Sequence, residues 1–422
     1  MLRKKITVVG LGYIGLPTAA VLASHGAHVV GVDVNQAVVD TVNEGKIHIV
    51  EPNLSDVVKA CVDRGDLVAK LQPEPSDAFI IAVPTPFKEG SNQPDLSYVE
   101  AACEQIAPFL KKGDLVILES TSPVGATETL ESWLIGERPD LSFPTLSGDD
   151  TDVFIAHCPE RVLPGKIMTE LVENDRIIGG LTLRCSDEAV ELYKRFVKGE
   201  IVVTNAKTAE MAKLTENSFR DVNIAFANEL SLICAKLDIN VWELIELANR
   251  HPRVNILKPG PGVGGHCIAV DPWFIVNKTP ELAQLIGLAR QVNDYKPKWV
   301  VDQVKIAAAE IVCSDPYRKM SDIKIACFGL SYKADIDDLR ESPALAIVND
   351  LIEQNVGEIL VVEPNISKLP DGISAFATLV SENEAHHLAD IKLILVDHMQ
   401  FVTKRELFMS GQSRVIDTRG IL

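Results

Sequence analysis

Four glycines, at 260, 262, 264 and 265, lead into Cys267, and Asp271 follows four residues later. A thiol becomes a nucleophile once ionised, and a nearby carboxylate can orient or activate water. Glycine weakens helices and strands, so a run of it marks backbone that turns sharply or lies close to a ligand. The stretch GPGVGGHCIAVDP (260–272) fits such a site, and equally a surface loop around an ordinary buried cysteine. More candidates lie between Lys207 and Leu237, a segment with no internal Gly or Pro that reads as one helix roughly 45 Å long. Lys213, Asn217 and Arg220 fall at i, i+4 and i+7, one stripe of that helix. Leu214, Val222 and Ala225 contribute to another, apolar side. The plain alternative for the polar stripe is a solvated surface.

The elements that could position these residues begin at the N-terminus. Ile6–Val9 reads as a short buried strand, Leu16–Ser24 as a helix and Val29–Val32 as a second strand ending in Asp33. Between the first strand and the helix, Gly10, Gly12 and Gly15 form G-x-G-x-x-G, with Tyr13 and Ile14 in the same turn. The first glycine permits a tight turn, the second admits a pyrophosphate, and the third packs helix on strand. The helix N-terminus offers free N–H groups to phosphate. Asp33 is placed to take both ribose hydroxyls and would repel a 2′-phosphate, which favours NAD over NADP. Further apolar runs, AFIIAVPTP (78–86), DLVILESTSPVG (114–125) and DVFIAHCPERVLPG (152–165), each break into a Pro-, Thr- or Gly-bearing loop. Ligands of parallel α/β sheets bind beyond the carboxyl ends of strands, where Thr85, Thr121 and Glu160 all fall. Taken singly, each is also ordinary turn chemistry.

The second half starts again. Residues 323–354 read as strand, turn and helix, and EILVVEP, IKLILVDH and RVIDTRG supply further strands. CFGLSYK repeats VVGLGYI with Ser331 at the second glycine and Lys333 added two positions later. We read a second doubly wound domain that has exchanged close pyrophosphate approach for a cation, and so a second phosphate-bearing ligand site. The expected fold is α/β, with two Rossmann-like doubly wound domains joined by a long central helix. Its divisions are 1–200 (NAD-binding), 201–300 (central, helical) and 301–422 (C-terminal ligand-binding).

Composition narrows the function classes. The 422 residues are 46% hydrophobic and 24% charged, as in globular proteins, and length favours two or three domains. A net charge of −18 argues against nucleic acid or an anionic membrane surface as partner. The eight cysteines include no Cys-x-x-Cys and no zinc-like spacing, so no metal is expected. The basic, then apolar N-terminus is interrupted by glycines and a proline, unlike a signal peptide, and no apolar run reaches the length of a membrane span. A cytoplasmic protein with reduced thiols is expected.

Taken together, GLGYIG, STSPVG around Thr121, PE at 159–160, AEMAKLTEN at 209–217, GGHCIAVDP and SYKADIDDLRES resemble the UDP-sugar dehydrogenase family, in the same order and over nearly the whole chain. The resemblance implies oxidation of C6 of a nucleotide sugar from alcohol to acid, with two NAD per turnover. It makes Cys267 the nucleophile, holding the sugar as a thiohemiacetal and then a thioester. By the same resemblance Lys213 stabilises the oxyanion and moves protons, with Asn217 donating to the same oxygen. Asp271 orients or activates water, Glu160 serves hydrolysis, and Thr121 places its water. Arg161, Val162, Lys213, Asn217, Arg220, Gly264, Tyr332, Lys333 and Arg419 are implied to hold substrate, and Thr85 and Arg340 the cofactor. His251 and Arg253 match positions that reach a partner subunit's active site, which implies a homodimer; helix-end capping before Pro252 is the other reading of His251. Within the family, RHPRVNI (250–256) and the Glu160–Arg161 pair are most similar to the branch acting on UDP-N-acetylmannosamine, whose product enters enterobacterial common antigen. The UDP-glucose branch usually has an aromatic residue after the glutamate and a proline where this chain has Ala269. UDP-glucose and UDP-N-acetylglucosamine remain alternative substrates, and a non-catalytic nucleotide sensor a distant one.

Overall fold

In the computed structural model, residues 4–88, 90–265, 267–315 and 317–422 are described. The chain divides into two compact units, Met1–Glu216 and Asn217–Leu422. In the first unit eight strands form one sheet: β1 (Lys5–Val9), β2 (His28–Val32), β3 (Leu67–Lys70), β4 (Ala78–Ile81), β5 (Leu115–Leu118), β6 (Phe154–His157), β7 (Arg176–Gly180) and β8 (Ile201–Asn205). Their order is β3-β2-β1-β4-β5-β6-β7-β8. Strand order reverses at β1, the switch point of a doubly wound sheet, and the glycine turn lies there. Every pairing is parallel except that of β6 with β7, where Ala156 faces Gly180 and His157 faces Gly179. The central strands are apolar on both faces because both are covered, whereas the edge strand β8 is largely exposed. Ile6 and Val8, with Ala78 and Ile80, point into one core. Val9, Phe79 and Ile81 point into the other.

The second unit repeats the plan with β9 (Lys324–Phe328), β10 (Glu358–Val362), β11 (Ala377–Leu379), β12 (Ile391–Ile394) and β13 (Arg414–Asp417), all parallel. The order β11-β10-β9-β12-β13 again reverses at its first strand. The two turns are built alike. Gly10 and Gly329 have φ of 92° and 95°, and each donates its N–H to the end of the neighbouring strand, at Val32 and Val362, over 2.8 Å. Only glycine holds that conformation without strain, and an added Cβ would also press on Ala82 O (2.6 Å) or Val396 Cβ (2.4 Å).

The expected helix is present as Ala206–Leu237. A second long helix, Gln284–Ser314, contains Pro297 and was not anticipated. Buried polar bonds in the second unit tie the two together: Asp221 accepts from Arg290 and Asn293, Asn293 accepts from Asn228, and Ser231 accepts from Lys296. Such a buried network helps specify one register between helices, although Asp221 Oδ2 and Arg290 Nε are left without hydrogen-bond partners among the described residues. Among the described residues no helix is long and apolar enough to cross a membrane, and no three His, Cys, Asp or Glu side chains converge on a metal site.

Candidate active site

The nucleotide-binding turn of the first unit has the shape its glycines suggest. A Cβ on Gly15 would lie 1.8 Å from Gly10 O, so helix and turn are packed backbone to backbone. A Cβ on Gly12 would meet nothing within 4 Å. Gly12 is therefore dispensable to packing, and its bare backbone leaves a way in for a bulky anion. The helix Gly15–Ser24 opens with no side-chain cap and no acidic residue in its first turn, as an anion site requires. Asp33, at the end of β2, accepts Leu11 N at 3.0 Å and Asn35 N at 2.9 Å. Each of its oxygens keeps a lone pair for a ribose hydroxyl. The residues thus fit NAD: phosphates at Gly12 and the helix start, adenosine ribose at Asp33. Tyr13 and Ile14 complete the turn.

Loops after β4 and β5 meet beside it. Thr85 Oγ1 donates to Thr121 O at 2.6 Å, and Ser120 Oγ donates to Val83 O at 2.7 Å. The STSPVG loop is held from its other end by Glu210, which the sequence offered only as a member of AEMAKLTEN, with no role of its own. This buried carboxylate accepts Gly125 N (2.6 Å), Thr127 N (2.8 Å) and Thr127 Oγ1 (2.6 Å), capping the helix Ala126–Glu137. Burial raises its pKa, and those bonds oppose the rise. Lys213, half-buried, follows one turn later on the long helix. After β6, Glu160 is 5% exposed and accepts Arg161 N and Arg176 Nη1. Arg161, expected to grip substrate, has its guanidinium on Glu216 at 2.6 Å; Val162 packs against the core.

In the second unit Cys267 and Asp271 share one turn. The Cys267 carbonyl accepts Val270 N and Asp271 N, so the thiol and the carboxylate are held at opposite ends of the turn that opens the helix Asp271–Lys278. Asp271 is 2% exposed and accepts Asn217 Nδ2 at 2.6 Å; Asn217 is itself 6% exposed. The expected polar stripe therefore splits: Asn217 is buried against Asp271, whereas Arg220 is exposed. Asn217 spends one N–H on Asp271, which fixes the carboxylate and leaves one N–H and its oxygen to act elsewhere. His266, within the same motif, lies outside the described residues.

The glycines before the thiol serve a packing purpose that spacing did not reveal. A Cβ on Gly264 would lie 2.6 Å from Glu341 O and Pro343 Cδ and 2.8 Å from Tyr332 Cβ; one on Gly260 would lie 2.7 Å from Arg419 Nη1. The loop is bare because the Ser331–Pro343 loop and Arg419 press on it. Together they line a pocket at the carboxyl end of the second sheet: Pro261, Gly262, Ser331, Lys333, Asp397 and Arg419 face it. Lys333 is exposed, and Arg419 is oriented by Asp397 at 2.7 Å. Lys333 and Arg419 bring two cations to this small, mixed polar and apolar pocket, with the Asp397 carboxylate paired to Arg419. Arg340 forks onto Asp338 on the far part of that loop. His251 and Arg253 are exposed just past the helix Val241–Ala248, and Arg253 N donates to His251 Nδ1 at 3.3 Å, a local turn contact.

Residues 4–197 match the NAD binding domain of the UDP-glucose/GDP-mannose dehydrogenase family, 207–295 its central domain and 326–422 its UDP binding domain. A UDP-N-acetyl-D-mannosamine dehydrogenase of Yersinia pestis is 60% identical over 416 residues, covering 99% of this chain and 98% of that protein. An NDP-N-acetyl-D-galactosaminuronic acid dehydrogenase of Ralstonia nicotianae is 61% identical over 420 residues, covering 99% and 96%. The solved UDP-D-ManNAc dehydrogenase of Pyrococcus horikoshii is 40% identical with a TM-score of 0.87, covering 99% of this chain and 96% of that one. A glycine turn shaped for NAD, a thiol and carboxylate on one turn, and three domains matched in order leave one assignment: the chain belongs to the UDP-glucose/GDP-mannose dehydrogenase family.

Proposed function

We propose that the protein oxidises C6 of UDP-N-acetyl-D-mannosamine to the carboxylate, giving UDP-N-acetyl-D-mannosaminuronate. The observation that carries the chemistry is the shared turn of Cys267 and Asp271, with Asp271 buried and held by Asn217. The near-full-length relatives named for this sugar support the substrate. NAD, when bound at the glycine turn, supplies the hydride acceptor for each of two oxidations. Lys213 stabilises the alkoxide as the C6 alcohol loses its proton. The Cys267 thiolate adds to the aldehyde carbon, and the new C–S bond keeps the half-oxidised sugar from leaving. Loss of a second hydride and the hydroxyl proton turns that adduct into a thioester. Water, oriented by Asp271 and Glu160 with Thr121, attacks the thioester carbon; the C–S bond breaks, leaving the carboxylate and restoring the thiol. Lys333 and Arg419 hold the UDP phosphates, with Arg161, Val162, Arg220, Gly264 and Tyr332 toward the rest of the substrate, and Thr85 and Arg340 toward the cofactor.

We further propose a homodimer built on the long helix, with His251 and Arg253 serving the partner's site. Phe219, Phe226 and Ile233 recur every seven residues on it and are 68%, 51% and 47% exposed. That much apolar surface at heptad spacing favours a second copy. Phe226→Asp is expected to shift the protein to monomer in sedimentation; an unchanged dimer rejects this face. The proposed working division is 1–200, 201–300 and 301–422, in the cytoplasm, with enterobacterial common antigen as the pathway favoured by the branch resemblance.

The Ralstonia nicotianae relative favours a second reading, a galactosamine-type sugar. Purified protein assayed side by side on UDP-N-acetylmannosamine, UDP-N-acetylgalactosamine, UDP-N-acetylglucosamine and UDP-glucose decides between them. The first is expected to give the highest kcat/KM and two NADH per sugar. One NADH per sugar rejects the four-electron reaction. Cys267→Ser is expected to abolish acid formation; full activity removes the thiol from the mechanism.

A further inference from the structure

A cluster of charge lies inside the first unit, away from solvent. Glu119 follows β5, Glu160 follows β6 and Arg176 opens β7; they are 1%, 5% and 3% exposed. The one antiparallel pairing of this sheet brings them together. Because β7 runs against β6, its first residue emerges beside the loop that leaves β6, and extending the register beyond His157–Gly179 sets Arg176 opposite Glu160. A parallel β7 would have delivered Arg176 to the other end of the sheet.

The bonds are specific. Arg176 Nη1 donates to Glu160 Oε2 at 2.7 Å and lies 4.0 Å from Glu119 Oε1. Glu160 Oε1 accepts Arg161 N at 2.6 Å. Glu119 contacts Tyr193 Oη at 3.2 Å and Thr18 Oγ1 at 3.1 Å, hydroxyls that can either donate or accept. Arg176 also stands over the Tyr193 ring, 5.4 Å from its centroid. Two carboxylates share one guanidinium here, and a buried unbalanced charge is costly. Glu160 has the direct bond, whereas Glu119 has only neutral partners at hydrogen-bond distance.

We propose that Arg176 is a positioning residue for thioester hydrolysis, aiming the Glu160 carboxylate through its direct bond, while Glu119 carries the proton that neutralises the cluster. The inference rests on Glu160 serving hydrolysis, as read above. Burial and the neighbouring Glu160 push Glu119 up to about 7, against the pull of Arg176, Thr18 and Tyr193. The titratable groups facing it are Cys158 and Glu160 after β6, Arg176 on β7 and Tyr193 on its helix. Above that pH an ionised Glu119 competes with Glu160 for Arg176.

Rapid mixing with UDP-N-acetylmannosamine and NAD separates oxidation from hydrolysis. Arg176→Met is expected to form NADH in a burst of two per site and then turn over roughly 100-fold more slowly, with kcat/KM for the sugar little changed, KM falling along with kcat, and the thioester visible as added protein mass. Arg176→Lys, which keeps a charge, is expected to recover part of the hydrolysis rate. Glu119→Gln imitates the protonated acid, so the wild-type decline in hydrolysis as pH rises past about 7 is expected to vanish in this variant. Wild-type hydrolysis in Arg176→Met, or equal losses in burst and turnover for both Arg176 variants, overturns the proposal. A Glu119→Gln profile that still declines overturns the placement of the proton. Glu160→Gln separates the two levels. If it hydrolyses normally, the reading of Glu160 fails; if it stalls while Arg176→Met does not, the inference alone fails.

Discussion

Glu210→Ala tests whether the long helix holds the Thr121 loop. The substitution removes three short bonds to a buried carboxylate, two of them from backbone N–H groups at the start of the helix Ala126–Glu137. Bonds to a charged group contribute about 1.5–3 kcal/mol each, which bounds the gross loss at roughly 4.5–9 kcal/mol. The net is smaller, because the carboxylate regains its hydration in the unfolded chain. Its raised pKa, with burial the largest cause, says that this desolvation is substantial. Loss of a cap alone costs about 1 kcal/mol, and a net of about 3 kcal/mol is expected. For a unit of this size that lowers Tm by about 6–12 °C. Circular dichroism melting of the full chain reads it, in the first unit's transition if the two units melt separately. Glu210→Gln keeps one acceptor but turns an amide N–H toward donors, so about half the loss is expected. Turnover should fall with stability restored by low temperature, since Thr121 loses its anchor and Lys213 rides on the next turn. A Tm change under 2 °C with unaltered kcat would refute the reasoning.

Gly12→Ala should leave Tm within about 1 °C, because its Cβ meets nothing within 4 Å, and weaken NAD binding by tenfold or more if the pyrophosphate lies against the second glycine as proposed. Gly15→Ala should do the opposite first: the 1.8 Å approach to Gly10 O forces backbone to move, and about 3 kcal/mol or more of stability is lost. Lys296 is 3% exposed, with its ammonium on Ser231 Oγ and over the Trp299 ring. Burial lowers its pKa from 10.5 to about 8. Between those values the unfolded chain binds the extra proton, so stability from this group rises with pH from about 8 to 10.5. The span corresponds to about 3 kcal/mol, and Lys296→Met should flatten that rise in urea unfolding measured across the range; an identical slope in the variant removes Lys296 as its source.

What could be read in the sequence was what is local. G-x-G-x-x-G and its flanking strands carry their meaning within thirty residues, and so does the second turn at Gly329. The stripe of Lys213, Asn217 and Arg220 follows from helical period alone. Which member is buried does not, since Asn217 finds Asp271 54 positions away. Glu210 and Gly125 are 85 apart, and Glu210 looks like any acidic helix residue. Strand direction depends on how a connection packs, so the reversal of β7 that delivers Arg176 left no mark in composition. Pro297 hid the second long helix, whose interior carries it. The glycines before Cys267 suggested a wall for a ligand, but several are bare because Tyr332, Pro343 and Arg419 crowd them.

The thiol, Asp271, the crowded glycine loop and the cationic pocket of Lys333 and Arg419 belong to the second unit, whereas the nucleotide turn at Gly10–Gly15 belongs to the first. In the proposed reaction, a sugar bonded to Cys267 is cargo on the second unit and the coenzyme docks on the first. On that reading one spent coenzyme can be traded for a fresh one without loosening the load. The leash and the berth are separate pieces of the molecule, which suits a catalyst that must reload once before it lets go.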